Sequence, residues 1–216
     1  MIKSVIFDLD GVLVSTDELH YQAWKKLAAE LGITGFNRED NEKQRGVSRM
    51  ASLEVVLAKG DRQYTNEEKA ALAEKKNNYY KEMLKDLDER AALPGAANTL
   101  KLLRERGILV GIGSASKNTP VILEKTGMLP YIDKVSCGLD TMKSKPDPEV
   151  FLIAAKKLGT PAGECLVVED SAAGIQAAKA GGMKSLGVGP YYNTLGADVC
   201  AASLAAEIDW DKLLAM

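Results

Sequence analysis

The sequence predicts an α/β protein built on a doubly wound parallel sheet, with an all-helical domain inserted near its start. Short apolar runs repeatedly end in polar or glycine residues, helical stretches alternate with them, and one long block between residues 16 and 88 contains helical patterning alone. Alternation of strand and helix is the signature of a parallel sheet covered by crossover helices.

The first run is Val5-Ile6-Phe7, which stops at Asp8-Leu9-Asp10-Gly11. A buried strand of β-favouring residues delivers polar groups to the end of a sheet in this way. Ile108 to Ile112 then leads into Gly113-Ser114-Ala115-Ser116, Cys165 to Val168 into Glu169-Asp170-Ser171, and Ser185 to Val188 into Gly189-Pro190. Between them, Ala96 to Arg106, Pro120 to Thr126, Pro148 to Leu158 and Gly174 to Ala180 read as helices, closed by Gly107, Gly127, Gly159 and Gly181. Glycine is favoured there because the residue after a helix commonly adopts a left-handed conformation.

The inserted block differs. Leu19, Ala23, Leu27 and Leu31 recur every four residues, and Thr65-Asn66-Glu67-Glu68 has the form of a capping box opening a long charged helix. The economical layout is a core of residues 1–15 and 89–216 with a helical cap of residues 16–88, joined near Val14 to Thr16 and near Leu87 to Pro94.

Acidic and basic residues nearly balance, 30 against 28 in 216, so no global field favours nucleic acid or an anionic membrane and the expected partner is a small molecule. Met1 runs directly into the first strand without the features of a signal peptide, and no stretch approaches the roughly 18 to 20 apolar residues that span a bilayer. Cys137, Cys165 and Cys200 are odd in number and lack metal-like spacing. They read as small apolar residues of a reducing cytoplasm, and the chain as a cytoplasmic monomer.

In doubly wound sheets ligands bind beyond the carboxyl ends of the strands, which here present Asp8, Asp10, Ser114, Ser116, Glu169 and Asp170. Several carboxylates together require a cation, and oxygen-only donors suit Mg²⁺ and hence phosphoryl transfer. Each residue alone has a plainer reading: Asp-x-Asp-Gly as a turn or the start of a calcium loop, Ser114 as a cap, Lys145 as a solvated lysine, Glu169-Asp170 as helix-capping acids. No further acidic residue or Asn follows at calcium-loop positions.

Taken in order, Asp8-Leu9-Asp10-Gly11-Val12, Ser114, Lys145-Pro146-Asp147-Pro148 and Glu169-Asp170-Ser171 closely resemble the four motifs of the haloacid dehalogenase superfamily, over essentially the whole chain. The resemblance implies that superfamily's Rossmann-like core, Asp8 as nucleophile, Asp10 as general acid/base, and Ser114 and Lys145 as holders of the transferring phosphoryl group. It implies Mg²⁺ on Asp8, the Asp10 carbonyl, Glu169 and Asp170. Retention of Asp10 points to phosphoryl transfer rather than dehalogenation.

Within the superfamily, Thr16, His20, Trp24, Arg45-Gly46-Val47-Ser48-Arg49, Ser52, Lys76-Asn77 and Ser114-Ala115-Ser116-Lys117-Asn118 are similar to the pattern of hexose-phosphate mutases. By that resemblance Arg49 grips the phosphate not being transferred, Ser116, Lys117 and Asn118 contact that same group, and His20 with Lys76 couples cap closure to sugar binding. Each again has a plainer reading, as a surface or satisfied core histidine and solvated cations. The implied reaction interconverts β-D-glucose 1-phosphate and D-glucose 6-phosphate through an aspartyl phosphate and β-glucose 1,6-bisphosphate. A Mg²⁺-dependent phosphatase of small phosphomonoesters is the alternative, and a catalytically idle phosphosugar-binding module a third.

Overall fold

In chain order the elements of the computed structural model are β1 (Ser4–Phe7), α1 (Asp17–Glu30), α2 (Arg38–Glu42), α3 (Arg49–Leu57), α4 (Asn66–Met83), α5 (Ala96–Glu105), β2 (Leu109–Gly113), α6 (Thr119–Lys125), β3 (Lys134–Ser136), α7 (Glu149–Leu158), β4 (Cys165–Glu169), α8 (Ala172–Ala180), β5 (Lys184–Gly187), β6 (Val199–Cys200) and α9 (Trp210–Leu214). The structure describes residues 1–44 and 47–216. Two compact units emerge, one of residues 1–15 and 88–216 and one of residues 16–87.

The larger unit holds a six-stranded sheet in the order β3-β2-β1-β4-β5-β6, and every pairing is parallel. β1 lies between β2 and β4, where the chain's progression across the sheet changes direction, and a doubly wound sheet opens a ligand crevice at that point. The register decides what stands there. Phe7 is level with Ile112 and Val168, so the next residues along, Asp8, Gly113 and Glu169, stand side by side at the end of the sheet.

α7 and α8 pack on the face that carries Ile6, Cys165 and Val167, through Val150, Phe151, Ala154, Ala177 and Ala178. A Cβ at Gly113 would stand 2.4 Å from a Phe151 ring carbon, so the absence of a side chain lets α7 lie close. Burial of Phe151 is complete and stabilises the unit by about 1.5–3 kcal/mol.

Gly107, Gly127 and Gly159 have φ of +71°, +67° and +71°, as helix-ending glycines should. Gly181 closes α8 as expected, but with right-handed φ of −80°, and Gly182 beyond it makes the left-handed turn at +72°. Two strands and a helix lie outside the sequence reading. β3 and β6 are three and two residues long at the sheet's two edges, and α9, five residues capped by the Asp209 carboxylate, closes the chain. Cys137 and Cys165 are buried as expected of small apolar residues, whereas Cys200 is exposed because β6 is an edge.

The smaller unit is helical. Ala23 and Leu27 of the predicted stripe are buried, and Leu27 packs with Tyr21, Trp24 and Ala28 against Leu53, Val56 and Leu57 of α3 and Ala73 of α4. Thr65 caps α4 by accepting from the Glu68 N–H while Glu68 accepts from the Thr65 N–H, a reciprocal arrangement worth about 1 kcal/mol. Among the described residues no helix is long and apolar enough to cross a membrane.

Candidate active site

Asp8 follows β1 with its backbone N–H donating to the Val168 carbonyl at 2.9 Å, which ties it to the end of β4. The Lys145 ammonium, on the loop before α7, donates to Asp8 Oδ1 and to Glu169 Oε1, each at 2.5 Å. All three residues are buried, and Lys145 also lies 4.7 Å above the Phe151 ring. Burial pushes the Asp8 carboxyl up to about 7, with Lys145 opposing and the charges of Glu169 and Asp10 adding to the rise. Burial disfavours the Lys145 charge, but the two carboxylates outweigh it and hold the ammonium above its ordinary value.

Glu169 is oriented from behind. Its Oε2 accepts from the Ser171 N–H and hydroxyl, both at 2.9 Å, while the same hydroxyl accepts from the Gly174 N–H at 3.1 Å and so caps α8. A Cβ on Gly174 would stand 1.9 Å from Glu169 Oε1, so only glycine leaves room for that carboxylate over the helix start.

Asp10 begins a tight turn in which Gly11 donates to the Val14 carbonyl at 2.8 Å. Gly11 has φ of +88°, and a Cβ there would lie 2.1 Å from Asp170 Oδ2, so Asp170 packs directly on the turn that carries Asp10. Beyond β2, the Ser114 N–H donates to the Ser136 carbonyl, which holds the loop to β3. Ser114 Oγ accepts from the Ser116 N–H and Ser116 Oγ from the Asn118 N–H, each at 3.2 Å. Asn118 is buried and Lys117 exposed.

Among the described residues no three His, Cys, Asp or Glu side chains stand in a metal-holding arrangement. The donor chemistry nevertheless suits a hard divalent cation. Asp8 and Glu169 share one ammonium and leave an excess of negative charge, the Asp10 charge raises Asp8 further, and every candidate donor is oxygen.

In the smaller unit, the Tyr80 hydroxyl donates to Thr16 Oγ1 at 2.8 Å, and His20 stacks on Tyr80 with ring centroids 4.0 Å apart. The Lys76 ammonium lies 2.7 Å from His20 Nδ1 and above the rings of Trp24 and Tyr80, at 4.6 and 4.9 Å. Burial, then the charges of Lys76 and Arg49, depress His20 well below 6.5. The ring is therefore neutral at pH 7 and accepts from Lys76 at Nδ1, which leaves the proton on Nε2. Arg49, the first residue of α3, donates to Glu74 at 3.0 Å. Ser48 caps α3 by accepting from the Ala51 N–H, and Ser52 is buried with its carbonyl accepting from Gln44. Val47 is half-buried. Arg45 and Gly46 lie outside the described residues.

Thus Asp8, Asp10, Ser114, Lys145, Glu169 and Asp170 gather at one end of the sheet, and Thr16, His20, Trp24 and Lys76 form one network in the helical unit. Sequence reasoning left Ser171, Tyr80 and Glu74 without roles. Ser171 before an alanine-rich helix is a legible cap. Tyr80 and Glu74 act on residues 25 or more positions away, which no local pattern reports.

The acidic cluster stands at the switch point of a doubly wound sheet, and the haloacid dehalogenase-like hydrolase model matches residues 2–182, so the chain belongs to that family. Within it, the chain is 40% identical over 200 residues to the β-phosphoglucomutase of Bacillus subtilis (strain 168), covering 92% of this chain and 88% of that one. The crystal structure of a β-phosphoglucomutase from Clostridium difficile superposes with a TM-score of 0.91 at 36% identity, covering 99% of this chain and 97% of that one. The fructose-1-phosphate phosphatase YqaB of Escherichia coli (strain K12) is 29% identical over 85% of this chain and 95% of its own.

Proposed function

We propose that this protein is a β-phosphoglucomutase, interconverting β-D-glucose 1-phosphate and D-glucose 6-phosphate through an Asp8 phosphate and β-glucose 1,6-bisphosphate. The observation that carries the chemistry is the buried Asp8 carboxylate held 2.5 Å from the Lys145 ammonium at the end of the central strand. A carboxylate approaches a phosphoryl group only when their mutual repulsion is offset, and Lys145 supplies a positive charge where the phosphoryl oxygens must lie. The choice of mutase rests on the 40% identity to a β-phosphoglucomutase against 29% to a phosphatase.

Phospho-Asp8 transfers its phosphoryl group to the C6 hydroxyl: the P–O6 bond forms, the acyl phosphate P–O bond breaks and Asp10 takes the hydroxyl proton. The bisphosphate turns over. The C1 phosphoryl group then passes to Asp8 as its P–O1 bond breaks, and Asp10 returns the proton to O1. Ser114 and Lys145 hold the transferring group. Arg49, with Ser116, Lys117 and Asn118, holds the other phosphate, while His20 and Lys76 meet the sugar with Thr16, Trp24, Val47, Ser48 and Ser52 around it. Mg²⁺ would be held by the side chains of Asp8, Glu169 and Asp170 with the Asp10 carbonyl, and would offset charge on the phosphoryl group.

The test supplies β-glucose 1-phosphate, Mg²⁺ and a trace of the 1,6-bisphosphate and measures glucose 6-phosphate against free phosphate. Glucose 6-phosphate in large excess is the expected result. Stoichiometric free phosphate with glucose would establish the phosphatase reading instead.

A further inference from the structure

Arg49 does not project without a partner. Its Nη1 donates to Glu74 Oε2 at 3.0 Å, with the guanidinium 26% and the acid 55% exposed. Glu74 is itself held from the other side. Asn77, buried and three residues further along α4, donates from Nδ2 to Glu74 Oε1 at 3.2 Å, and the Lys81 ammonium lies 3.7 Å from the same oxygen. The spacing 74, 77, 81 puts the three on one helical face. A buried amide thus aims an exposed carboxylate at Arg49, and Asn77, followed by the charge of Arg49, keeps the Glu74 carboxyl below its ordinary value. The acid stays ionised.

A carboxylate and a phosphate bond the same guanidinium donors in the same planar fork. An anion that engages Arg49 through Nη1 on this face must therefore replace Glu74. A monoanionic carboxylate offers Arg49 little beyond what Glu74 already gives, whereas a dianionic phosphate offers more charge and a further acceptor oxygen. We propose that Glu74 is an internal competitor for Arg49 that weakens every anion at this position by a common factor, so that a dianionic phosphate takes Arg49 and a monoanionic sugar acid, which gains nothing over Glu74, does not. This rests on the assignment of Arg49 to the phosphate not being transferred.

The experiment is a double-mutant cycle read by calorimetry with glucose 6-phosphate and with glucuronate, on the parent, Glu74→Gln, Arg49→Ala and the double variant. An ion pair this exposed shifts an equilibrium by about 1.5- to 5-fold. Glu74→Gln should bind both ligands tighter by that same factor, and KM for the sugar phosphate should fall in parallel. In the Arg49→Ala background the substitution should change nothing, which separates release of Arg49 from a general loss of negative charge. Glu74→Asp, which keeps the charge but is one methylene too short for the contact, should behave like Glu74→Gln. If Arg49→Ala weakens binding while Glu74→Gln binds as the parent or more weakly, the competitor role is wrong and Glu74 merely holds Arg49 in place. If Arg49→Ala itself binds glucose 6-phosphate as tightly as the parent, the assignment of Arg49 fails and the proposal with it.

Discussion

Ser171→Ala removes one hydroxyl that makes two bonds at once, donating to Glu169 Oε2 at 2.9 Å and accepting from the Gly174 N–H at 3.1 Å. Losing a helix cap costs about 1 kcal/mol, and losing a bond to a charged carboxylate about 1.5–3 kcal/mol. The Ser171 N–H still serves Glu169, and one hydroxyl's two bonds are not independent, so a net loss of about 2–3 kcal/mol is expected. For a chain of this size that lowers the melting temperature by roughly 4–12 °C. The released Glu169 should also weaken Mg²⁺ binding by about 10- to 100-fold, as when an outer hydrogen-bond partner of a metal ligand is removed. Melting followed by circular dichroism and a calorimetric Mg²⁺ titration read the two effects separately. Ser171→Thr keeps the hydroxyl and should recover most of both. A Ser171→Ala protein melting within about 1 °C of the parent would refute the assignment of Ser171 as the brace of Glu169.

Gly11→Ala should fold yet lose at least about 10²-fold in kcat/KM, because a Cβ 2.1 Å from Asp170 Oδ2 at φ of +88° must displace that carboxylate; unchanged turnover would show that Asp170 tolerates the shift. Asp10→Asn should retain Mg²⁺ binding by calorimetry and lose about 10²- to 10⁴-fold in isomerisation, whereas near-parent rates would remove Asp10 from proton transfer. His20 sets a pH dependence: its folded pKa lies below the unfolded value of about 6.5, so the native state binds fewer protons, and stability is lost as pH falls from about 6.5 through the folded pKa. The limiting slope from this one group is about 1.4 kcal/mol per pH unit, and denaturant melts of His20→Phe, which keeps the stack on Tyr80, should lack that component. Equal slopes in the two proteins would mean that His20 does not titrate differently on folding.

Much of this protein is legible along the chain because its main signals are local. β1, β2, β4 and β5 are apolar runs that must be buried on both faces, and the polar residues following them are delivered to the sheet's end by chain direction alone. Asp8, Asp10, Ser114, Lys145, Glu169 and Asp170 are legible from that logic and from the motif order. The short edges β3 and β6 escaped because two or three half-exposed residues carry no periodicity, and their pairing depends on neighbours already in place.

The sequence by itself determined which polar residues stand at the ends of β1, β2 and β4, where α4 is capped and which carboxylates come within one loop of a strand end. Only the tertiary structure decided that Lys145, 137 residues from Asp8 in sequence and 24 from Glu169, bonds to both, that Ser171 braces Glu169, and that Glu74 faces Arg49. The physical reason is range. Strand patterning and caps act within a few residues, whereas a buried ion pair depends on the register of β1 against β4 and on burial, which raises Asp8 to about 7 and disfavours the charge on Lys145 until the carboxylates of Asp8 and Glu169 outweigh it.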